Sequence, residues 1–227
     1  MNKKRFFSAK NVAFLAVSVA LVVVLQVWGS AIPIGPINMN LTLIPIVLGG
    51  VLLGPSAGAF LGCAAGLIVL INGMTGADVF TNFLLGQQPV FTAFLCIVKT
   101  TAAGFVSGLL FRALRKKNRY AAVFVSGFAA PVVNTGLFVV GALIMSGTIG
   151  EFMAGTEFAG MSVAYFVVVV LAGVNFLVEF ALNAICAPAL FRVSEIITRK
   201  GGTSECENEK RAEKTETSAC KGEQAEE

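Results

Sequence analysis

The chain has 227 residues, of which 56% are hydrophobic and 13% are charged, with a formal net charge of +4 and no histidine. A mean hydropathy of +0.81 lies far outside the range of a soluble globular domain and indicates an integral membrane protein. The lack of histidine argues against a His-based zinc site or a Ser-His catalytic pair, and the five cysteines show no CxxC spacing that would indicate a metal site or a disulfide scaffold.

Apolar length and Gly/Pro breaks predict six membrane-spanning helices. They lie near 11–31, 37–53, 56–72, 89–111, 120–146 and 162–191. Several of these runs exceed the roughly 20 residues that cross a bilayer, and they lack the period-two alternation of an outer-membrane barrel. The predicted fold class is therefore an all-α integral membrane protein with six transmembrane helices.

The basic residues outside the predicted spans indicate the orientation. They occur in 1–10, in 112–119 and from 192 onward, whereas the other three connections carry no Lys or Arg. Because cytoplasmic loops are enriched in Lys and Arg, both termini are expected in the cytoplasm.

Composition also divides the chain into three parts. Residues 1–10 form a basic cytoplasmic N-terminus, and 11–200 form the six-helix membrane domain. From 201 to 227 the sequence is rich in Glu, Lys, Ser, Thr and Gly and contains almost nothing apolar. Such a segment cannot offset its ordering entropy by burial, so a disordered cytoplasmic tail is predicted.

Two ionisable residues fall in the predicted hydrocarbon zone, where a charge is costly and is a functional hypothesis by default. Lys99 lies in the fourth span, near mid-bilayer, and Glu179 lies in the inner half of the sixth. Asn175 and Asn183 stand four residues on either side of Glu179 and form a polar helix face. Lys99, Glu179 and Asn175 are candidate contacts to a polar solute. The alternative is a buried structural Lys99–Glu179 ion pair, or snorkelling to an interface.

Uncharged polar residues add further candidate contacts. Asn134 lies in the fifth span, and Asn82, Gln87 and Gln88 cluster before the fourth. Each could hydrogen-bond a solute, but each could equally bridge two helices or cap one.

Small residues mark close helix packing. Gly58, Gly62 and Gly66 form GxxxGxxxG in the third span, and GxxxG follows in the fourth. Glycine faces let backbones approach, and packing within the chain is the expected use. Ala16 and Ala20 form AxxxA in the first span, where an internal contact and a partner contact both remain open.

The sequence contains no GxxxxGK[ST] and no HExxH motif. A Ser-His catalytic pair is disfavoured because the chain has no histidine. No enzymatic activity, metal or cofactor is therefore expected, and transport driven by ATP would require a separate ATPase.

Three sequence features together carry a family resemblance. They are the AxxxA of the first helix, the hairpin MNLTLIPIVLGGVLLGPSAGAFLG and the segment PVFTAFLCIVKTTAAGFVSGLLF. In a six-span chain with a cytoplasmic N-terminus, this pattern resembles the substrate-binding S components of energy-coupling factor (ECF) vitamin transporters, over residues 10–200.

The resemblance implies a function and a set of partners. It implies a bundle in a bacterial or archaeal cell membrane that captures a vitamin-like solute from outside, with no nucleic-acid partner. A membrane coupling protein with two ATPase subunits would drive uptake, and Ala16 and Ala20 would pack on the coupling protein. The loop at 32–40 would cover the pocket, with Asn38 and Asn40 contacting the solute at its mouth.

The substrate remains open at the level of sequence. Lys99 favours an anionic or zwitterionic solute such as pantothenate, because a carboxylate would accept a charge-assisted hydrogen bond. Riboflavin is a less charged alternative. A self-sufficient secondary transporter or channel is the alternative function, and a structural assembly protein is a third.

Overall fold

A computed structural model describes residues 9–34, 37–188 and 191–192. The chain divides into one compact unit of Met1–Pro188 and a second of Ala189–Glu227. All elements named below belong to the first unit. The predicted tail, 201–227, and most of the basic N-terminus lie outside the described residues.

Helices make up nearly all of the described chain. They are α1 (Ala9–Ser30), α2 (Leu43–Leu53), α3 (Pro55–Met74), α4 (Val79–Gln87), α5 (Pro89–Leu114), α6 (Arg119–Ile144), α7 (Ser146–Ala154) and α8 (Val163–Pro188). Between α1 and α2, the short strands β1 (Pro33–Ile34) and β2 (Ile37–Asn38) pair antiparallel. The all-α membrane fold is confirmed.

Five helices in the described residues are long and apolar enough to cross a membrane, namely α1, α3, α5, α6 and α8. The predicted second span, 37–53, is helical only from Leu43, so α2 has 11 residues and is about 17 Å long. The earlier part is extended because Asn38 pairs with Pro33 and the Asn40 side chain binds Thr42 immediately before the helix. Six spans and their orientation remain predictions.

Gly54 and Pro55 separate α2 from α3, as the sequence predicts. Gly54 adopts a φ of 103°, a backbone conformation that favours glycine, and its N–H still closes the last turn of α2 on Gly50 O at 3.1 Å. Pro55 begins α3, where its missing N–H costs no hydrogen bond. The two helices therefore form a tight hairpin.

The glycine faces of α3 and α5 pack against each other. A Cβ on Gly58 would clash with the backbone carbonyl of Gly104, and one on Gly62 with that of Thr100. Side chains cannot occupy this contact, so the backbones come close enough for van der Waals packing to hold the helices together. The predicted packing of the glycine faces within the chain is confirmed.

The connections expected at 73–88 and 147–161 contain two short helices, α4 and α7. The Asp78 side chain caps α4 by accepting a hydrogen bond from Thr81 N at 3.1 Å. Phe80 of α4 packs edge-on against Phe152 of α7, with ring centroids 5.3 Å apart. Sequence patterning missed both helices because they are too short for a periodic signal and are stabilised by these tertiary contacts.

Helix α8 contains a π-helical segment, Phe166–Gly173. Its buried residues recur at a spacing of five, with Phe166 paired to Leu171 and Val167 to Ala172. A π-helix turns more slowly than an α-helix, so residues five apart share a face. This segment places Leu171 and Ala172 towards the polar cavity described next.

Candidate solute-binding site

A polar cavity lies inside the bundle. It encloses about 670 Å³ between side chains, open solvent included. Its walls come from α1, α3, α4, α5, α6, α8 and the segment before α2.

Five of the residues predicted to contact a solute line this cavity: Asn38, Asn40, Lys99, Asn134 and Asn175. They come from four separate parts of the chain, and folding brings them together. Asn134 and Lys99 face the interior because α5 and α6 pack side by side. The structure thus gathers polar groups that would be costly to expose to lipid.

Lys99 is the basic residue of the cavity wall. It lies ten residues after Pro89, where α5 begins, or about 15 Å along the helix. Its Nζ sits 4.9 Å from the centroid of the Phe138 ring, in a cation–π contact. Within the described part of the chain, Lys99 forms no ion pair shorter than 4.0 Å, so its ammonium is available to an acceptor in the cavity.

Glu179 lies one turn beyond Asn175 on α8 and does not line the cavity. Its side chain is only 1% exposed. Asn175 Nδ2 donates to Glu179 Oε1 at 2.9 Å, and Asn183 Nδ2 donates to the Glu179 backbone oxygen at 2.9 Å. Lys99 is close enough to interact with Glu179 electrostatically without contacting it. The polar face predicted for this helix is present, and Glu179 forms its buried centre.

Several buried acceptor atoms of the cavity wall have no hydrogen-bond partner within the described chain. They are Gln26 Oε1, Asn134 Oδ1, Thr135 Oγ1 and Asn175 Oδ1. A buried polar atom left unpaired costs about 1–3 kcal/mol. The cavity therefore combines the Lys99 ammonium and several acceptors with the carboxylate of Asp78, which already accepts two hydrogen bonds from Thr81. It fits a solute that carries both an acidic group and hydroxyl or amide donors.

Hydrogen bonds also hold the polar wall of the cavity in place. Asn38 Nδ2 donates to Ala77 O at 2.7 Å and ties the segment before α2 to the α3–α4 connection. Asn40 Oδ1 accepts from Thr42 Oγ1 at 2.7 Å. Asn72 Nδ2 donates to Ser30 Oγ at 2.7 Å and joins α3 to α1. Part of the hydrogen-bonding capacity of Asn38 and Asn40 is thus used within the protein.

Three predicted contacts lie away from the cavity. Asn82 is exposed on α4 and donates to Gly73 O at 2.7 Å. Gln87 ends α4 and is exposed, and Gln88 donates to Thr148 Oγ1 at 3.0 Å. In this arrangement Asn82 and Gln88 bridge elements of the bundle, the alternative that their sequence positions left open.

Sequence reasoning missed several lining residues, among them Gln26, Asn72, Thr135 and Phe138. Gln26 could have been found as a lone amide within the apolar run of α1, and Thr135 as the neighbour of Asn134. Phe138 stands one helical turn after Asn134 and gave no signal, because an aromatic residue in a membrane helix is ordinarily part of the packing.

The AxxxA motif of α1 lies on the surface of the chain. Ala16 and Ala20 are exposed, and Val17 between them is 68% exposed. The opposite face of α1 packs inward through Ser18, which is 3% exposed, and Val22, which is fully buried. The alanine face is therefore not used for packing within the described chain, so its contacts must be with lipid or with another protein.

These features define a class of protein: a multi-pass helical membrane protein with an internal polar site for a small solute. The family model described as "ECF transporter, substrate-specific component" matches residues 10–191, and the chain belongs to this family. It is thus a substrate-specific membrane subunit of an ECF transporter, a family of transporter subunits rather than enzymes. No curated protein matched the chain.

Proposed function

We propose that this protein captures a water-soluble, vitamin-like micronutrient from outside a bacterial or archaeal cell, and that a separate ECF module drives its uptake with ATP. Membership of the family supports the role of substrate-specific subunit. The cavity with its ammonium and acceptor groups is the observation that carries the proposal. Residues 11–200 would be the capture domain, with 1–10 and 201–227 as cytoplasmic flanks.

The position of the cavity supports capture from outside. Its polar wall includes the end of α1, the end of α3 and the start of α4. The basic segment 112–119 joins the opposite ends of α5 and α6. With that segment in the cytoplasm, as the positive-inside rule favours, the cavity faces the other side. This orientation, with six passes and both termini inside, is part of the proposal.

The chemistry of the wall favours an anionic or zwitterionic solute with several hydroxyl or amide groups. Lys99 would bind its acidic group, and Asn134 and Asn175 would accept hydrogen bonds from its donors. Asn38 and Asn40 would contact it at the mouth. Pantothenate has this combination of groups, and riboflavin is the less charged alternative.

The exposed alanine face supports a docking site for the coupling protein. Small side chains at Ala16 and Ala20 allow another helix to approach closely, and nothing in the described chain covers them. The partner module would comprise this membrane coupling protein and two ATPase subunits.

Mass spectrometry of the purified protein tests the proposed function directly. The full chain, purified in detergent and then denatured, should release one small molecule. In a separate sample of folded protein from which this molecule has been removed, pantothenate or riboflavin should raise the melting temperature. The isolated chain in liposomes should not accumulate solute, even with a pH gradient or a membrane potential. Accumulation by the chain alone would favour the alternative function, a self-sufficient secondary transporter or channel.

A further inference from the structure

Glu179 is the one acidic side chain among the described residues that is almost completely buried in the bundle and yet lies outside the cavity wall. An acidic side chain buried in a membrane helix is costly and is therefore a functional hypothesis by default. Its carboxyl group accepts a hydrogen bond from an amide that does line the cavity, Asn175.

The contact fixes which way the Asn175 amide faces. Asn175 Nδ2 donates to Glu179 Oε1 at 2.9 Å, so the nitrogen of the amide is turned towards the carboxyl group. The carbonyl oxygen Oδ1 is then the amide atom left for the cavity, and it has no partner within the described chain. Without Glu179, the amide could turn and present its NH₂ group instead.

Asn134 repeats the arrangement on α6. Its side chain lines the cavity and lies beside Glu179, and its Oδ1 also has no partner within the described residues. The wall near Glu179 therefore presents acceptors, whereas the wall at Lys99 presents a donor. A solute bound between these two walls must place its acceptor group at Lys99 and its donor groups near Glu179.

We infer that Glu179 is a positioning residue that holds the Asn175 carbonyl towards the cavity, so that the site selects a solute with a hydroxyl or amide donor at this point. The inference rests on the proposed function, because it assigns specificity to the same cavity. Selection against the wrong partner follows because a solute with an acceptor here would face a carbonyl oxygen and leave both groups unpaired.

Capped analogues of pantothenate test the inference. The probes are pantothenate and its two mono-O-methyl ethers, in each of which one hydroxyl can no longer donate. The wild-type chain should bind one of the ethers about tenfold more weakly than pantothenate. In Glu179→Met the released amide can donate to the ether oxygen, so this ratio should fall below about threefold.

Asn183→Ala is the matched control. Asn183 is also buried on α8 and bonds to the backbone of Glu179, but it does not line the cavity. This variant should lower the melting temperature and leave the ether ratio at its wild-type value. An unchanged ratio in Glu179→Met would overturn the positioning role while leaving solute capture intact. Failure of the wild-type chain to bind pantothenate would overturn the proposed substrate, and the inference with it.

If Glu179→Met does not fold, a second test exchanges the carboxyl group and the amide between positions 175 and 179. Asn175→Asp alone places two carboxylates at the 2.9 Å contact and should weaken pantothenate binding about tenfold or more. Adding Glu179→Gln restores one donor and one acceptor and keeps an acceptor facing the cavity, so affinity should recover to within about threefold of wild type. A double variant no better than Asn175→Asp would contradict the inference.

Discussion

Replacing Lys99 by Met would remove the ammonium of the cavity wall and keep most of the side-chain volume. Lys99 Nζ is held over the Phe138 ring and, among the described residues, forms no ion pair with a carboxylate. A hydrogen bond to a charged group is worth about 1.5–3 kcal/mol net, which corresponds to about 10- to 150-fold in affinity. This is the range expected for the loss of a contact to an anionic solute.

Pantothenate and panthenol separate the charge from the rest of the solute, because panthenol replaces only the carboxylate by a hydroxymethyl group. Isothermal titration calorimetry should show that the wild-type chain binds pantothenate about 10- to 150-fold more tightly than panthenol. Lys99→Met should bind both with similar affinity. Lys116→Met, which removes an exposed charge far from the cavity wall, should keep the wild-type preference.

Two results would refute this reasoning. Retention of the preference for pantothenate in Lys99→Met would show that Lys99 does not bind the carboxylate. Equal losses from Lys99→Met and Glu179→Gln, with recovery in the double variant, would establish a structural pair between the two residues.

Three further changes test the packing, the partner surface and the tail. Gly62→Ala forces a methyl group against the Thr100 backbone and should destabilise the fold by about 1–3 kcal/mol, which lowers the melting temperature. Gly136→Ala is the control, because its methyl group meets no neighbour, and it should be neutral or stabilising. Equal melting temperatures for the two variants would contradict the close packing of α3 on α5. Ala16→Trp or Ala20→Trp should abolish uptake in cells that supply the ECF module and leave solute binding to the isolated chain unchanged, and loss of binding would show that this face serves the fold. Deletion of 201–227 should leave binding intact, and weakened affinity would show that the tail contributes to the site.

The sequence predicted the long helices well because their signal is strong. A run such as α5 is apolar over more than the bilayer thickness, and Gly54-Pro55 marks a helix boundary by backbone chemistry alone. Helices α4 and α7 were missed because they depend on tertiary contacts such as Phe80 against Phe152. The start of α2 was predicted too early, at 37 instead of Leu43. The hydrogen bond between Asn40 and Thr42 lies where the extended segment ends, and hydropathy gives no signal at this position.

The candidate site was predicted only in part, for a related reason. Lys99, Asn134 and Asn175 could be identified because a polar group in a membrane helix stands out on composition. Which of these groups meet in one cavity depends on how each helix is rotated about its own axis. In α8 this rotation also depends on the π-helical segment. Gln88, equally polar in the sequence, instead bonds to Thr148 at the end of another helix.

The π-helical segment of α8 has a consequence for comparing this chain with its relatives. Because Phe166 and Leu171 share a face at a spacing of five, an ordinary α-helix would reach the same face with one residue fewer. A relative that aligns here with a single-residue gap would therefore retain the aromatic packing and the cavity wall together. A deletion of one residue elsewhere between Val163 and Asn175, by contrast, would turn Asn175 towards a different face of the helix. Alignments across this helix should place any gap inside the π segment, and gaps found elsewhere mark relatives whose sites are built differently.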